Sequence, residues 1–297
     1  MLNVEGKKML AKYFLIKSDT TAVYFVIQHL TFGIDIFKWY DCSHKQWAWH
    51  DRILHKIYLM LEYKDHTLAA IVSDRHQAAA VFEKYHLDFC CKGKRTLQQA
   101  CADKNIPVEP VLKELEQVFE PGFVVQDQLL RTMSVSQLTD YIVLKHHVFV
   151  KHAMPVIYQH LHRVATKHGD RFPYMQQVFN LFSSLQLEMD SHMQKEETIL
   201  FPRIKEVDKA LEQKNDLPAL NAVYITQPIH MMEMEHEEAG ELMAQIRNLT
   251  KDYTPPHDAC TTFRISMAEL KSFEEDLHCH IHLENNILFP RIAKMML

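Results

Sequence analysis

Residues 192–204 read HMQKEETILFPRI, and residues 280–292 read HIHLENNILFPRI. Eight of the thirteen positions are identical, among them His192 and His280, Glu196 and Glu284, and Pro202 and Pro290. Self-similarity of that density points to a duplicated helical unit. On a helix, residues i and i+4 share a face one turn apart, so each copy presents an imidazole with a carboxylate beside it. Apolar residues upstream show where that face points. Leu181, Leu185, Glu188, His192, Glu196 and Ile199 read as one seam; Phe273, Leu277, His280, Glu284 and Ile287 read as another. Both His/Glu pairs are therefore expected in a stripe that faces a core. Pro202 and Pro290 follow each pair, where both helices should kink or end.

Two further histidines fit the same plan. His236 lies on the seam Met232, His236, Ala239, Met243, Ile246, and His147 follows Val143 and Leu144. The interval from His147 to His236 matches that from His192 to His280 to within one residue. The chain thus reads as two consecutive helix pairs, each giving one His from its first helix and a His-x3-Glu from its second. The expected architecture is all-α, an antiparallel four-helix bundle with four imidazoles and two carboxylates converging inside it. Burying one unpartnered polar group costs roughly 2–7 kcal/mol, and a whole domain has only about 5–15 kcal/mol of net stability. The six groups must therefore pair with one another or hold metal. Bundles do build metal sites from inward side chains on facing helices. Carboxylates can bridge two cations, and imidazoles suit iron, zinc or copper. Four nitrogens and two bridging carboxylates would leave each of two metals under-coordinated, which describes an open, reactive dinuclear site.

These residues carry a resemblance. His147 and the stretches SHMQKEETILFP, MEMEHEEAGELM and HCHIHLENNILFP resemble a hemerythrin-like di-iron domain, in particular that of the iron-sulfur cluster repair di-iron proteins, the RIC (repair of iron centres) family. The resemblance implies that His147, His192, His236 and His280 ligate two non-haem irons and that Glu196 and Glu284 bridge them. It implies repair of iron-sulfur clusters damaged by oxidative or nitrosative stress, damaged iron-sulfur proteins as partners, and a homodimer. The stretch KYHLDFCCKGKRTLQQAC resembles the family's amino-terminal domain, which carries a Cys-Cys pair. With it, the resemblance covers about residues 62–297.

Cys90 and Cys91 are candidate reactive thiols on chemical grounds too. Lys92, Gly93, Lys94 and Arg95 follow them, and nearby cations favour thiolate; the alternative is that they pack as small inert hydrophobes. Iron could be released or handed over with these thiols touching iron or the damaged client, a repair or iron-donor role more than that of a turnover enzyme. A hemerythrin-like O2 or NO carrier or sensor is the alternative, although an oxygen carrier typically adds a fifth His. An NO-converting oxidoreductase is a third reading, and a structural or zinc-filled seam a fourth. Glu188, one turn before His192, and Glu235, beside His236, are candidates to orient a ligand or pass protons, with a solvated face expected for Glu235. His146, His278 and His282 sit at offsets that turn them away from the ligand face. His152, His160, His162 and His230 are expected at the surface or in hydrogen bonds.

Composition sets the frame. Apolar residues make up 47% and charged residues 24%, which suits a globular chain, and only six glycines favour helices over a turn-rich β fold. A net charge of −5 gives no nucleic-acid footprint. Six cysteines in a chain this long, with no clear secretion signal, read as reduced thiols in a cytoplasm. The most apolar stretch, residues 22–39, contains Gln28, His29, Asp35 and Lys38, so no membrane span is expected. Three regions are expected. Residues 1–59 lack a clean period and hold all three Trp; the text from Met60 reads like a natural start, so they are a poorly ordered extension or lie upstream of the true start, the alternative being a genuine extra module. Residues 60–122 form a small helical Cys-Cys domain, with one amphipathic helix through Ile71, Ala78, Val81, Phe82 and Tyr85, and a capping box at Thr96 and Gln99. Residues 123–297 form the bundle, joined through a linker at 120–133. A second capping box at Ser134 and Gln137 opens it, Pro155 and the GDRFP segment interrupt or separate helices, and Pro228 falls in the first turn of the His236 helix. Gly240, one turn beyond His236, is expected where another element approaches closely.

Overall fold

The computed structural model describes residues 12–18, 21–27, 63–118, 130, 132–213 and 223–296. The chain divides into two compact units, Met1–Leu61 and Glu62–Leu297. In the first, strands β1 (Lys12–Ser18) and β2 (Thr21–Ile27) pair antiparallel, with Lys12 opposite Ile27 and Ser18 opposite Thr21. All-α is therefore the architecture of the second unit, not of this hairpin. Its runs KYFLIKS and TAVYFVI are rich in aromatic and β-branched residues, which suit a pleated surface. The remainder of residues 1–59, and with it the question of their order, lies outside the described residues. So does most of the 120–133 linker.

Among its described residues, every named element of the second unit is a helix. It opens with α1 (Leu68–Asp74), α2 (Ala78–Lys84), α3 (Leu97–Asp103) and α4 (Val108–Val118). The single helix expected across Ile71–Tyr85 is two. Arg75 leaves helical geometry at φ −143°, which lets Leu68, Ile71 and Val72 on one side and Val81 and Phe82 on the other all become buried. The Thr96–Gln99 box forms in both directions: Gln99 N–H donates to Thr96 Oγ1 at 3.2 Å, and Thr96 N–H to Gln99 Oε1 at 3.1 Å. Glu114 ties α4 to α2, accepting from Lys84 Nζ at 2.8 Å and Tyr85 OH at 2.7 Å.

The bundle follows. Its first helix is α5 (Val135–Ile142), a π-helical turn π1 (Val143–His147) and α6 (Val148–His168). The second is α7 (Tyr174–Lys195), π2 (Glu196–Leu200) and α8 (Phe201–Glu212). The third is α9 (Val223–Leu249). The fourth is α10 (Thr261–His282), π3 (Leu283–Leu288) and α11 (Phe289–Met295). α6 packs between α7 and α10, and α7 packs also on α9. The capping box at Ser134 and Gln137 opens α5 as expected.

The prolines behave differently from expectation. Pro155 lies inside α6 without interrupting it; Lys151 and Pro155 are both exposed, so the carbonyl it frees faces water. Pro228 lies inside α9, not in its first turn. It cannot donate to Tyr224 O, and the Arg203 guanidinium donates there instead, at 2.9 Å. Pro202 and Pro290 do not end the helical run, which continues as α8 and α11. Each falls at the start of α8 or α11, just after a π turn that carries the chain past the ring.

Two apolar cores flank the centre of the bundle. One is built from Met154, Phe182, Leu185, Met243, Leu270 and Phe273 along the long helices. The other joins α5, α8, α11 and the start of α9 through Ile142, Phe201, Ile204, Ile229, Phe289 and Ile292. Each fully buried side chain of this kind contributes roughly 1.5–3 kcal/mol relative to exposure. The polar residues lie between these two cores and are held from both sides.

Candidate metal centre

The duplicated stretches place their side chains through the π turns. His147 closes π1, Glu196 opens π2, and Glu284 sits in π3. Such wide turns recur at functional sites because they re-aim side chains within a continuing helix. They also correct the expected seam. Past Glu196 the buried residues are Leu200 and Phe201, while Ile199 is 43% exposed; past Glu284 it is Leu288 that is fully buried. Upstream, the buried face of α7 runs through Phe182, Leu185, Met189 and His192, so Leu181 is only partly buried and Glu188 is exposed.

All six expected ligands meet. His147, Glu196, His280 and Glu284 form one group and His192, Glu196, His236 and Glu284 another, with the donor atoms of each group within 4.8 Å of one another. Both glutamates belong to both groups. His147 Nε2 lies 3.2 Å from His280 Nε2, and His236 Nε2 lies 3.1 Å from His192 Nε2. Glu196 Oε2 is 3.3 Å from the Nε2 atoms of His147 and His192. Glu284 reaches His280 Nε2 at 3.1 Å and His236 Nε2 at 3.0 Å. None of the six is more than 2% exposed.

The opposite ring nitrogens explain the convergence. His147 Nδ1 meets Glu197 Oε1 at 2.7 Å, His192 Nδ1 meets Glu235 Oε2 at 2.8 Å, and His236 Nδ1 meets Asn285 Oδ1 at 2.8 Å. Those oxygens can only accept, so each Nδ1 carries its proton and Nε2 is the atom left to face inward, where it holds either a metal or a second proton. Two Nε2 atoms 3.1–3.2 Å apart must have a proton or a metal ion between them. Both oxygens of Glu196 and Oε2 of Glu284 are buried without a well-formed hydrogen bond, although Glu196 Oε2 and Glu284 Oε2 lie within ion-pair distance of imidazoles. Buried acceptors in that state ask for a cation. The donor set fits a pair of divalent metals.

The electrostatics agree. Burial pushes the Glu284 carboxyl up, but His280 and His236 overrule it and hold it well below the usual carboxylate range. Glu196 is likewise held low by His192 and His147 against burial and the Glu284 charge. Burial lowers His192, but Glu196 and Glu235 push it up to about 10. His280, stacked on His146 and lacking an Nδ1 partner, is lowered by burial. The centre is thus a strongly anionic pair of carboxylates that protons or metal ions must neutralise.

Several secondary expectations change. Glu235 is not on a solvated face: the His192 hydrogen bond holds its carboxyl down to about 2, and Lys195 pairs with it as well. Glu188 does not orient His192, whose Nδ1 is taken by Glu235. Glu197 and Asn285 hold ligand rings and were not singled out by spacing; their shared signal is their place, one residue after each duplicated Glu. His146, His278 and His282 do stand outside both groups, but they are structural. His146 Nδ1 bonds Asp276 at 3.0 Å, and His278 Nδ1 bonds Glu83 of α2 at 2.5 Å. His282 meets Ser73 of α1 at 3.3 Å, and burial lowers its pKa to about 4.

The thiol loop packs against the helix that carries His236. Asp88 Oδ1 accepts from the N–H groups of Cys91 at 2.9 Å and Lys92 at 3.2 Å, which folds residues 88–93 into a tight loop. Gly93 is required there, since a Cβ would fall 2.2 Å from Phe89 O. Cys91 Sγ lies 3.8 Å from Cys90 Sγ, 3.7 Å from the carbonyl of His236, and 3.8 Å from where a Cβ on Gly240 would be. Gly240 therefore faces the thiol loop. The surroundings of Cys90 disfavour the expected thiolate. The Cys91 hydrogen bond, burial and the Asp88 charge push its thiol well up, while Lys92, Lys94 and Arg95 point to solvent.

Comparison with known proteins matches two stretches of the chain. Residues 138–292 match the hemerythrin HHE cation binding domain, and residues 64–118 match a domain of unknown function (DUF542). The chain is similar to the iron-sulfur cluster repair protein YtfE of Enterobacter sp. (strain 638), at 35% identity over 78% of this chain and 98% of the relative. It is similar also to the proteins of that name from Citrobacter koseri and Escherichia coli O157:H7, each at 34% identity over the same shares.

Proposed function

Because the chain belongs to the YtfE family of iron-sulfur cluster repair proteins, we propose that it restores damaged iron-sulfur clusters from a dinuclear non-haem iron centre. The observation that carries this reading is that two four-residue ligand groups share both of their glutamates. On it, His147 and His280 would hold one ion, His192 and His236 the other, and Glu196 and Glu284 would be shared between them. Iron bound there would supply a redox-responsive store of metal for a client.

The chain's own residues then have distinct tasks. Glu197, Glu235 and Asn285 fix the tautomers of three of the four rings and so keep the Nε2 atoms of His147, His192 and His236 turned inward. The two apolar cores exclude bulk water from the sides. Six protein ligands shared by two positions leave each incompletely surrounded, which favours exchange over permanent retention. Cys91, whose Sγ bonds the backbone carbonyl of His236, and its neighbour Cys90 would be the thiols that contact iron or client. Neither group includes a fifth imidazole, and His146, the nearest further ring, is tied to Asp276, which favours repair over reversible oxygen carriage. Clients are damaged iron-sulfur proteins in the cytoplasm, and the working form is a homodimer. No described helix is long and apolar enough to cross a membrane.

The test is reactivation of a [4Fe–4S] enzyme inactivated by nitric oxide or peroxide. Wild-type protein should restore its activity, and His236→Ala should not. Cys90→Ser/Cys91→Ser should impair reactivation while leaving the metal content of the bundle unchanged. Equal reactivation by wild type and His236→Ala would sink the proposal.

A further inference from the structure

The two copies of the duplicated stretch diverge at the second residue after the bridging glutamate. In the first copy that residue is Thr198, whose Oγ1 donates to the carbonyl of Gln194 in its own helix at 2.7 Å. In the second it is Asn286, which reaches across to the thiol loop. Its Nδ2 donates to Cys90 O at 3.0 Å and lies 3.3 Å from Phe89 O and 3.2 Å from His282 Nδ1. Asn285, immediately before it, holds the ring of His236. Glu284, immediately before that, belongs to both ligand groups. One π turn thus presents a ligand, a ligand's hydrogen-bond partner and the clamp on the thiol loop in three consecutive residues. The loop is gripped a second time from α9, where Cys91 Sγ bonds the backbone carbonyl of His236.

From this juxtaposition we infer that Asn286 is a positioning residue: it couples the exposure of the Cys90–Cys91 loop to the state of the ligand groups carried by π3 and α9. The inference rests on the dinuclear reading given above and adds how the thiols learn whether that centre is filled. Filling it fixes Glu284 and His236 in place, and with them Asn286 and the His236 carbonyl, so the loop is held closed. Emptying it frees π3, and the loop opens with it. A local opening of this kind is governed by the few hydrogen bonds that close it. The loop's own Asp88 contacts keep it folded in either state.

The test is the rate at which iodoacetamide labels Cys91, read by peptide mass spectrometry on the full chain, with and without Co(II) as the loading metal. Cobalt uptake is followed separately by its absorption spectrum. Wild type should label several-fold faster when metal-free than when loaded. Asn286→Ala should label about tenfold faster than loaded wild type, the factor that loss of one or two ordinary hydrogen bonds allows, and at the same rate in both states, with its cobalt spectrum unchanged. Asn286→Asp, which keeps the size but removes the donor, should behave like Asn286→Ala and guards against a folding defect. A metal-dependent rate in Asn286→Asp equal to that of wild type would overturn the inference. If wild type takes up no cobalt, the dinuclear reading fails by itself. The metal-free comparison of wild type with Asn286→Asp then still decides the clamp: faster labelling in the variant supports it, and equal rates overturn it.

Discussion

The two copies of HxxxE…ILFPRI perform the same task with different neighbours. Each offers an imidazole and a shared carboxylate, and each uses the next residue to hold a histidine on another helix. In the first copy that residue is the charged Glu197, braced by Lys151 at 2.6 Å; in the second it is the neutral Asn285. Even the paired arginines agree in kind and differ in target. Arg203 satisfies the carbonyl orphaned by Pro228, and Arg291 donates to Met133 O at 3.0 Å. The lesson is that the ligand set is held symmetrically, while the surroundings have been given separate duties: the first copy faces charges, and the second faces the thiol domain.

Substitutions can break that comparison or sharpen it. The largest effect is expected at the shared carboxylates. Glu284→Ala leaves buried imidazoles without their partner, a loss of about 3–5 kcal/mol of folding stability in urea denaturation, and Co(II) titration should lose both binding positions. Glu196→Ala should do the same; one intact position in either variant would refute the sharing. Gly93→Ala drives a Cβ into Phe89 O and should cost about 3 kcal/mol in thermal denaturation, the upper end of ordinary substitutions. The ring partners come next, measured by chelator competition. Loss of such a partner costs about 10–100-fold in metal affinity; Glu197→Ala should lie near the top of that range and Asn285→Ala near the bottom, because charged acceptors bind more strongly. Equal losses would show that the charge difference between the copies is idle. The smallest effect belongs to Gly240→Ala. Its Cβ would meet Cys91 Sγ at an ordinary 3.8 Å, so the gain in helix propensity should dominate, stabilising by up to about 1 kcal/mol.

Much of this was legible in the chain itself. Spacing of four between His192 and Glu196, and between His280 and Glu284, survives because both pairs still stand on one helical face. His147 and His236 were found from interval and seam. Residues whose roles depend on the π turns were not. Ile199 sits where a regular helix would bury it, and Glu197 and Asn285 sit where a regular helix would turn them off the face; the wider turn moves both. Glu235 looked solvated because its neighbours are acidic, and only the packing of α7 on α9 brings it to His192. The cations beside Cys90 promised a thiolate, but side-chain direction is invisible in composition, and the thiol turned inward while the cations turned out. Pro228 was read as a helix start because its remedy, Arg203, lies on another helix.

The most direct check on the dinuclear centre is metal analysis combined with Mössbauer spectroscopy of anaerobically isolated full-length protein. Two irons per chain, magnetically coupled as a single pair and lost together in Glu284→Ala, are the expected result. One iron per chain, two uncoupled irons, or stoichiometric zinc in their place would contradict it.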